Sequence, residues 1–390
     1  MSANRRAFLR LATLAPVALS WPALARAAPQ AGSRGLLILV ELKGGNDGLN
    51  TVIPYADPAY AALRPRVAIG RDQVVQLTER TGLHPSLVAL KDAWDAHELA
   101  IVQGVGYPQP NLSHFRSIEI WDTASRSDEY LDSGWIARAF ARAPRPASLA
   151  ADGVVIGNAG MGPLAGPGLR ALSLATPEQF LRSARLARDE EDATRNAALA
   201  HILKVERDVV ASARRIVPSR TFAQPFPPGP FGSAVNTAAQ LAANPSGVAV
   251  VHLSLGSFDT HANQLGQHAN LLRQLGEGLA ALRGALKEIG RWDSTVIATY
   301  SEFGRRPREN LSAGTDHGTA SAQFVLGGAV KGGLHGEPPA LDRLDANGNL
   351  PFAVDFRSCY AALLRHCWDI PARGVFDGNL AALPIFEKSV

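Results

Sequence analysis

Acidic, imidazole and hydroxyl side chains follow four apolar segments of this 390-residue chain, at the points where predicted strands end. The four transitions run from LLILVEL to KGGNDGLN, from IVQGVGY to PQPNLSHF, from VAVVHLSLG to SFDTH, and from TVIATY to SEFGRR. Ligands of open α/β sheets bind outside the carboxyl ends of the strands. Because four strand ends each deliver Asp, Glu, His or Ser, the sequence predicts one shared pocket at that edge of the sheet.

Carboxylate and imidazole side chains just past these strand ends are the candidate metal ligands. They are Asp47, Asp259, His261, Glu302 and His317, with Asp316 in reserve. This mixture of donors suits a divalent cation, so we expect Zn²⁺, Mn²⁺, Ca²⁺ or Mg²⁺ as the cofactor. Such an ion would polarise an ester and stabilise charge in the transition state. A structural interpretation stays open, because Asn-Asp-Gly and Asp-x-His are also ordinary turn sequences.

Ser113 is the candidate nucleophile, because it lies in the segment NLSH that opens a predicted helix. A helix N-terminus stabilises a nearby anion through its free N–H groups and its dipole, as an attacking alkoxide requires. The alternative is that Ser113 only caps the helix, which is the usual role of a serine there. Arg305 and Arg306 closely follow Glu302, and we expect them to hold the anionic group of a substrate.

Motifs of three other enzyme classes are missing from the sequence. It contains no G-x-S-x-G nucleophile elbow, no G-x-G-x-x-G fingerprint and no phosphate-binding P-loop. These absences argue against an α/β-hydrolase triad, a Rossmann dehydrogenase and a nucleoside triphosphatase.

The first 27 residues have the pattern of a twin-arginine signal peptide. Arg5 and Arg6 precede an apolar run from Leu11 to Leu24, and Ala25-Arg26-Ala27 matches a small-residue cleavage site. Trp21-Pro22 interrupts the run, which falls short of the roughly 18 apolar residues that a membrane span needs. We therefore expect export by the twin-arginine machinery, a periplasmic or secreted location, and no stable membrane span.

The basic charge of the chain belongs largely to that signal segment. It carries four arginines and no acidic residue, so removing it takes the formal net charge from +4 to about zero (4 − 4). A nearly neutral mature chain offers no electrostatic case for binding nucleic acid.

Residues 34–390 are predicted to form one α/β domain. Residues 141–235 are rich in loop sequences, include a predicted long charged helix between Pro177 and Val217, and end in the breaker QPFPPGPFG. We expect this range to be an insertion or cap that covers one edge of the sheet.

Six motifs follow the signal in order: GGNDGLNT, LHPSL, SHF, FDTH, SEFGR and GTDHG. With these motifs the sequence resembles the bacterial domain-of-unknown-function 1501 family, over nearly the whole chain after the signal. That family in turn resembles the alkaline phosphatase and sulfatase superfamily. The resemblance implies an α/β fold, a three-layer sandwich with a mostly parallel central sheet and a helical or loop insertion, with metals at the strand ends.

The resemblance also implies a role for each candidate residue. Asp47 takes the place of the first-strand carboxylate, and Ser113 that of the nucleophile. Asp259 and His261 take the place of an Asp-and-His pair, Glu302 that of the next acidic position, and His317 that of the last histidine.

Two features depart from the superfamily pattern. Phe303 follows Glu302 where the superfamily often has a histidine, and a phenylalanine cannot bind a metal. The spacing between Asp259 and His261 is also shorter than usual, so a site with one metal ion is an alternative to a two-metal site. The serine at position 113 excludes the formylglycine that sulfatases make from cysteine.

The sequence thus predicts an exported metal-dependent hydrolase of phosphate or sulfate esters, acting on a small anionic ester. The alternative is a non-catalytic periplasmic binding or assembly protein on the same fold.

Overall fold

The central sheet is built from strands that are almost entirely apolar, as parallel strands covered on both faces require. The computed structural model describes residues 35–157, 160–174, 220–378 and 380–387. In β1 (Leu36–Leu42) every residue is buried, and successive side chains point to opposite faces of the sheet. Ile38 and Val40 pack into one hydrophobic cluster, whereas Leu37 and Leu39 pack into a second. The sheet therefore separates two core layers.

Thirteen more strands occur in the described residues. They are β2 (Val52–Ile53), β3 (Val75–Gln76), β4 (Gly82–Leu83), β5 (Leu99–Gly106), β6 (Ala151–Ile156), β7 (Ala171–Leu174), β8 (Val248–Leu255), β9 (Thr295–Tyr300), β10 (Arg305–Glu309), β11 (Thr315–His317), β12 (Ser321–Leu326), β13 (Gly333–His335) and β14 (Val354–Asp355). The central sheet has the strand order β13-β5-β12-β9-β1-β8-β6-β7, with β14 beside β5. Only β12 runs antiparallel to its neighbours in this sheet, which confirms the prediction of a mostly parallel sheet.

Helices cover both faces of the sheet. The α-helices of the described residues are α1 (Gly48–Thr51), α2 (Pro58–Leu63), α3 (Lys91–Asp95), α4 (His114–Thr123), α5 (Trp135–Arg142), α6 (Pro230–Ala243), α7 (Gln264–Glu288) and α8 (Phe356–Trp368). Helices α6 and α7 pack on one face through the first cluster, and α4, α5 and α8 pack on the other through the second. None of the described helices combines the length and the hydropathy needed to cross a membrane. The layers confirm the predicted three-layer α/β class.

Part of the predicted insertion belongs to the central sheet. Strands β6 and β7 fall within residues 141–235, yet they pair in parallel with each other, and β6 pairs with β8. Their apolar segments ADGVVI and ALSL are short and lie among Gly, Pro and Ala residues, so the local pattern does not distinguish them from loops. The predicted helix between Pro177 and Val217 and the predicted signal of residues 1–27 lie outside the described residues.

Strands β1, β5, β8 and β9 all run in one direction, so their carboxyl ends meet at the same edge of the sheet. The segments that follow β1 and β8 approach each other closely. Gly44 has a φ of 110°, and a Cβ atom there would lie 2.5 Å from the backbone nitrogen of Asp259. Only glycine allows this backbone geometry, which holds the two segments together.

A buried ion pair fixes the segment after β1. Arg64 Nη1 donates to Asp47 Oδ2 at 2.6 Å, and neither side chain is exposed to solvent. Gln264 Nε2 also donates to Oδ2, at 2.5 Å, while Oδ1 caps α1 by accepting from the N–H groups of Leu49 and Asn50. Burial alone would raise the pKa of Asp47, but the charge and hydrogen bond of Arg64, together with the contributions of His268 and Gln264, outweigh burial and the pKa is lowered.

Replacing Arg64 with methionine should lower the free energy of unfolding by about 3–5 kcal/mol, because the buried carboxylate of Asp47 loses its counter-charge. Denaturant unfolding measures this loss. Because the pKa of Asp47 is lowered, the stabilisation is present above the ordinary carboxyl pKa and is lost as pH falls through the lowered value. The difference between the variant and the wild type should therefore shrink in acid.

Lys91→Met is the matched control for this prediction. The Lys91–Asp95 pair has the same N···O distance of 2.6 Å, but its side chains are 38% and 56% exposed. Its loss should cost less than about 1 kcal/mol. Equal losses in the two variants would contradict the importance of the buried pair.

Candidate metal centre

Three imidazoles and one carboxylate converge at the carboxyl edge of the sheet. The Nε2 atoms of His261 and His317 lie 3.0 and 3.2 Å from Asp259 Oδ1, and His114 Nε2 lies 3.4 Å from Asp259 Oδ2. Ligand atoms of His114, Asp259 and His317 all lie within 4.8 Å of one another. The four side chains are between 21% and 44% exposed, so the cluster opens to solvent.

Each of the three imidazoles turns its other ring nitrogen towards an acceptor. His317 Nδ1 lies 2.8 Å from Leu112 O. His114 Nδ1 lies 3.0 Å from Glu302 Oε1, and His261 Nδ1 lies 3.4 Å from Asp316 Oδ1. An acceptor at Nδ1 favours the tautomer with its proton on that atom and leaves a lone pair on Nε2. All three Nε2 lone pairs therefore point towards Asp259.

This arrangement of donors fits a divalent cation. The Nε2 atoms of His261 and His317 lie only 3.0 Å apart, and two facing lone pairs at that separation repel each other unless a positive charge lies between them. Imidazole nitrogens with a carboxylate oxygen are the donor set of many zinc sites, and they also suit other divalent metals. His114, Asp259 and His317 are therefore the residues that fit a metal ion, and His261 adjoins them at Asp259 and His317.

Arg305 holds Asp259 from the protein interior. Its Nη2 donates to Asp259 Oδ1 at 2.6 Å, and the side chain of Arg305 is fully buried. Its nitrogens also donate to the carbonyl oxygens of Gly45, Thr315 and Phe258, at 2.7, 2.7 and 3.1 Å. Because all the guanidinium nitrogens are occupied, we revise the predicted role of Arg305 from binding a substrate anion to positioning Asp259.

The charge of Asp259 follows from this contact. Burial acts to raise its pKa, but the hydrogen bond and charge of Arg305, together with the neighbouring imidazoles, outweigh burial and lower the pKa to about 2. Asp259 is therefore an anion at neutral pH, which is the form that binds a metal.

Glu302 lies behind His114 rather than at the centre of the cluster. Its Oε1 accepts from the backbone N–H of Gly44 at 2.7 Å and faces His114 Nδ1 at 3.0 Å, and its Oε2 accepts from Ser301 Oγ at 3.3 Å. A carboxylate that binds the outer nitrogen of a metal-ligating histidine orients the ring. We therefore revise the predicted role of Glu302 from metal ligand to orienting residue.

Asp47 does not join the cluster either. Its oxygens are bound by Arg64, Gln264 and the first N–H groups of α1, and its side chain is fully buried. The structural interpretation of the Asn-Asp-Gly segment fits this position. The three predicted ligands that the fold does bring together are Asp259, His261 and His317, with Asp316 behind His261.

Ser113 stands at the start of α4, between two residues that contact the cluster, Leu112 and His114. It is exposed, and its side chain makes no capping hydrogen bond to the helix. Its backbone N–H donates to Asn111 Oδ1 at 2.9 Å. The hydroxyl of Ser113 is therefore accessible, and it does not perform the cap function that was the alternative for this residue.

His114 is the cluster member that sequence reasoning missed. It is the first residue of α4, and attention to the helix start favoured Ser113 beside it. A signal was present, because an imidazole followed a predicted strand end in the same way as His261 does. The sequence did not show that α4 directs the side chain of its first residue, His114, towards Asp259.

Phe303 fills the space next to two of the histidines. Its ring centroid lies 4.4 Å from that of His317 and 4.9 Å from that of His114, and the side chain is buried. A phenyl ring supplies no ligand atom. Position 303 therefore offers no donor for a second cation, and the one-metal alternative from the sequence stays a prediction.

Several solved structures are similar to this chain in fold. Ps i-CgsB in complex with k-i-k-neocarrahexaose has 11% identity and a TM-score of 0.44, covering 89% of this chain and 75% of that one. PsFucS1 sulfatase from Pseudoalteromonas sp. has 10% identity and a TM-score of 0.39, covering 91% and 74%. A protein in the alkaline phosphatase superfamily from Vibrio parahaemolyticus has 10% identity and a TM-score of 0.38, covering 78% and 62%. At these identities the similarity concerns the fold alone.

The family that the motifs indicated is found independently. A model of the family described as "Protein of unknown function (DUF1501)" matches residues 176–349. That range includes Asp259, His261 and His317, and the match confirms the resemblance drawn from the motifs. No curated protein matches the sequence.

Replacing Arg305 with lysine should lower the free energy of unfolding by about 2–4 kcal/mol. A lysine keeps the charge but lacks the planar fork, so it leaves several buried carbonyl groups without a donor. Thermal or denaturant unfolding measures the change. Arg308→Lys is the control, because Arg308 is an exposed residue of the same strand, and a comparable loss there would refute the positioning role.

Proposed function

We propose that this protein is an exported metal-dependent hydrolase of phosphate or sulfate esters. The observation that carries the proposal is the convergence of three imidazole Nε2 atoms on the Asp259 carboxylate, in a cluster that is open to solvent. If these four side chains served only to stabilise the fold, they would be expected to be buried, whereas they are open to solvent. Titratable groups gathered in this way at the carboxyl edge of an α/β sheet are typical of a catalytic site.

His114, Asp259 and His317 would hold one divalent cation, with His261 as the fourth donor. When bound, such an ion polarises the ester oxygen and stabilises negative charge. The chain itself keeps the three rings in the correct tautomer through Leu112 O, Glu302 and Asp316. It also keeps Asp259 charged through Arg305.

Ser113 is the nucleophile in this proposal. Its Oγ attacks the phosphorus or sulfur atom, the bond from that atom to the alcohol oxygen breaks, and the hydroxyl proton passes to the departing alcohol. Water then hydrolyses the ester formed on the serine. The start of α4 favours this chemistry, because its first N–H groups have no side-chain cap and stabilise negative charge beside Ser113.

Arg306 is the remaining candidate for binding the anionic group, because Arg305 is fully engaged inside the protein. Arg306 is partly exposed, and its Nε is buried without a hydrogen-bond partner among the described residues. The buried Nε is not accessible to a substrate, but the positive charge of the guanidinium is near enough to the cluster to lower the pKa of Asp316, and it can attract a phosphate or sulfate oxygen.

Export remains part of the proposal. The twin-arginine pattern of residues 1–27 supports translocation of the folded chain to the periplasm or the exterior. The substrate would then be an ester that the protein meets outside the cytoplasm.

Metal analysis tests the centre directly. The purified protein should contain about one divalent metal ion per chain, and His317→Ala should lose most of it because one of the four donors is gone. His335→Ala is the matched control, because His335 lies on the edge strand β13, which is separated from β8 by other strands of the sheet. A folded wild-type protein that takes up no zinc, manganese, calcium or magnesium would rule out the metal centre.

Turnover tests the nucleophile. With p-nitrophenyl phosphate and p-nitrophenyl sulfate as probes, Ser113→Ala should lower kcat by more than about 1,000-fold while metal content is unchanged. Ser127→Ala serves as control, because Ser127 lies beyond the end of α4 and donates to Pro108 O. Bound metal without turnover of either probe would instead support the alternative, a non-catalytic binding or assembly protein.

A further inference from the structure

Six large apolar side chains are exposed among the described residues, and three of them belong to the segments that carry the metal-centre histidines. Phe115 is 89% exposed, Leu311 95% and Leu265 40%. We call these three residues the apolar rim. Apolar side chains that group around a polar centre commonly mark a binding surface.

Phe115 is the residue of the apolar rim that lies on α4. It directly follows His114 in the first turn of α4, and His114 Nε2 lies 3.4 Å from Asp259. The ring of Phe115 is therefore one residue from a candidate metal ligand and two residues from the candidate nucleophile Ser113. Nothing in the core requires it, since it is almost fully solvent-exposed.

Leu265 and Leu311 are the rim residues on the segments next to His261. The backbone N–H of Asn263 donates to Ser312 O at 3.0 Å, which places the start of α7 beside the turn between β10 and β11. Leu265 follows this contact on the helix, and Leu311 precedes it on the turn. The two leucines therefore lie on neighbouring segments.

The turn that carries Leu311 is tied to the metal centre. Asn310 Nδ2 donates to His261 O at 2.9 Å and to Asp316 Oδ1 at 3.0 Å. On its outer side Arg66 Nη1 donates to Leu311 O at 3.0 Å. Because the backbone is held on both sides, the exposure of Leu311 is a feature of an ordered turn.

The other three exposed apolar residues lie on segments of the chain that carry no metal-centre histidine. Tyr130 has the guanidinium of Arg116 3.8 Å from its ring centroid, which accounts for its position. Val88 belongs to the 3-10 helix Pro85–Leu90, and Phe352 lines a separate surface cavity. They provide exposed apolar controls at a distance along the chain from the histidine-bearing segments.

We infer that the apolar rim binds the hydrocarbon part of the substrate, so that the ester is amphiphilic: an alkyl or lipid-like alcohol esterified with phosphate or sulfate. The inference rests on the proposed function, which places the anionic group at Ser113 and the metal centre. An apolar group attached to that anion must lie within a few bonds of it. The rim residues lie on the segments that carry His114 and His261 and on the turn bound to His261, so they supply apolar surface beside the cluster, from which a small hydrophilic alcohol would gain nothing.

Calorimetric titration of the metal-loaded protein with methyl phosphate and with octyl phosphate, below its micelle concentration, tests the inference. Octyl phosphate should bind at least tenfold more tightly than methyl phosphate. The double variant Phe115→Ser/Leu311→Ser should lose most of that ratio while its affinity for methyl phosphate is unchanged. Val88→Ser should keep the full ratio, and all three proteins should unfold at similar temperatures because every altered side chain is exposed.

The outcomes separate this inference from the proposed function. Equal affinity for the two phosphates in the wild type, or an unchanged ratio in the double variant, would overturn the apolar rim while leaving the hydrolase proposal standing. A protein that holds no metal and binds neither phosphate would overturn both. Rim-dependent binding to vesicles of neutral phosphatidylcholine, with no preference for octyl phosphate, would also overturn the inference and show a membrane-docking surface instead.

Discussion

One buried guanidinium holds the candidate site together. Arg305 binds carbonyl groups of the segment after β1, of the segment after β8 and of β11, and it binds the carboxylate of Asp259. These segments are far apart in sequence and carry different parts of the site. A planar group with five donors can join several acceptors at once, which a lysine cannot do. The geometry of the cluster therefore depends on an arginine whose side chain is fully buried.

Chemistry at the sheet edge depends on a second layer of acceptors. A backbone carbonyl, Glu302 and Asp316 each face the outer nitrogen of one histidine, and this leaves a lone pair on each inner nitrogen. Residue type alone predicted that Glu302 is a metal ligand, but its oxygens already contact Gly44, Ser301 and His114. The same residue chemistry therefore serves either binding or orientation, and the choice depends on which atoms are already occupied.

Most of the fold was predictable because the central strands are strongly apolar segments, which can be recognised from the local sequence. The strand predicted at Leu36–Leu42 has the same bounds in the structure. Strands β6 and β7 were missed because a short strand at a sheet edge owes its stability to its partners more than to its own pattern. Their place became visible only through pairing with β8.

The sequence by itself determined the α/β class, the shared edge of the sheet and three members of the cluster, Asp259, His261 and His317. These follow from hydrophobic periodicity and from polar residues placed at strand ends, both of which are local properties. Only the tertiary structure decided that His114 joins them and that Asp47 pairs with Arg64 instead. The physical reason is that a buried carboxylate is governed by whichever counter-charge the fold brings to it, and Arg64 is 17 residues away in sequence.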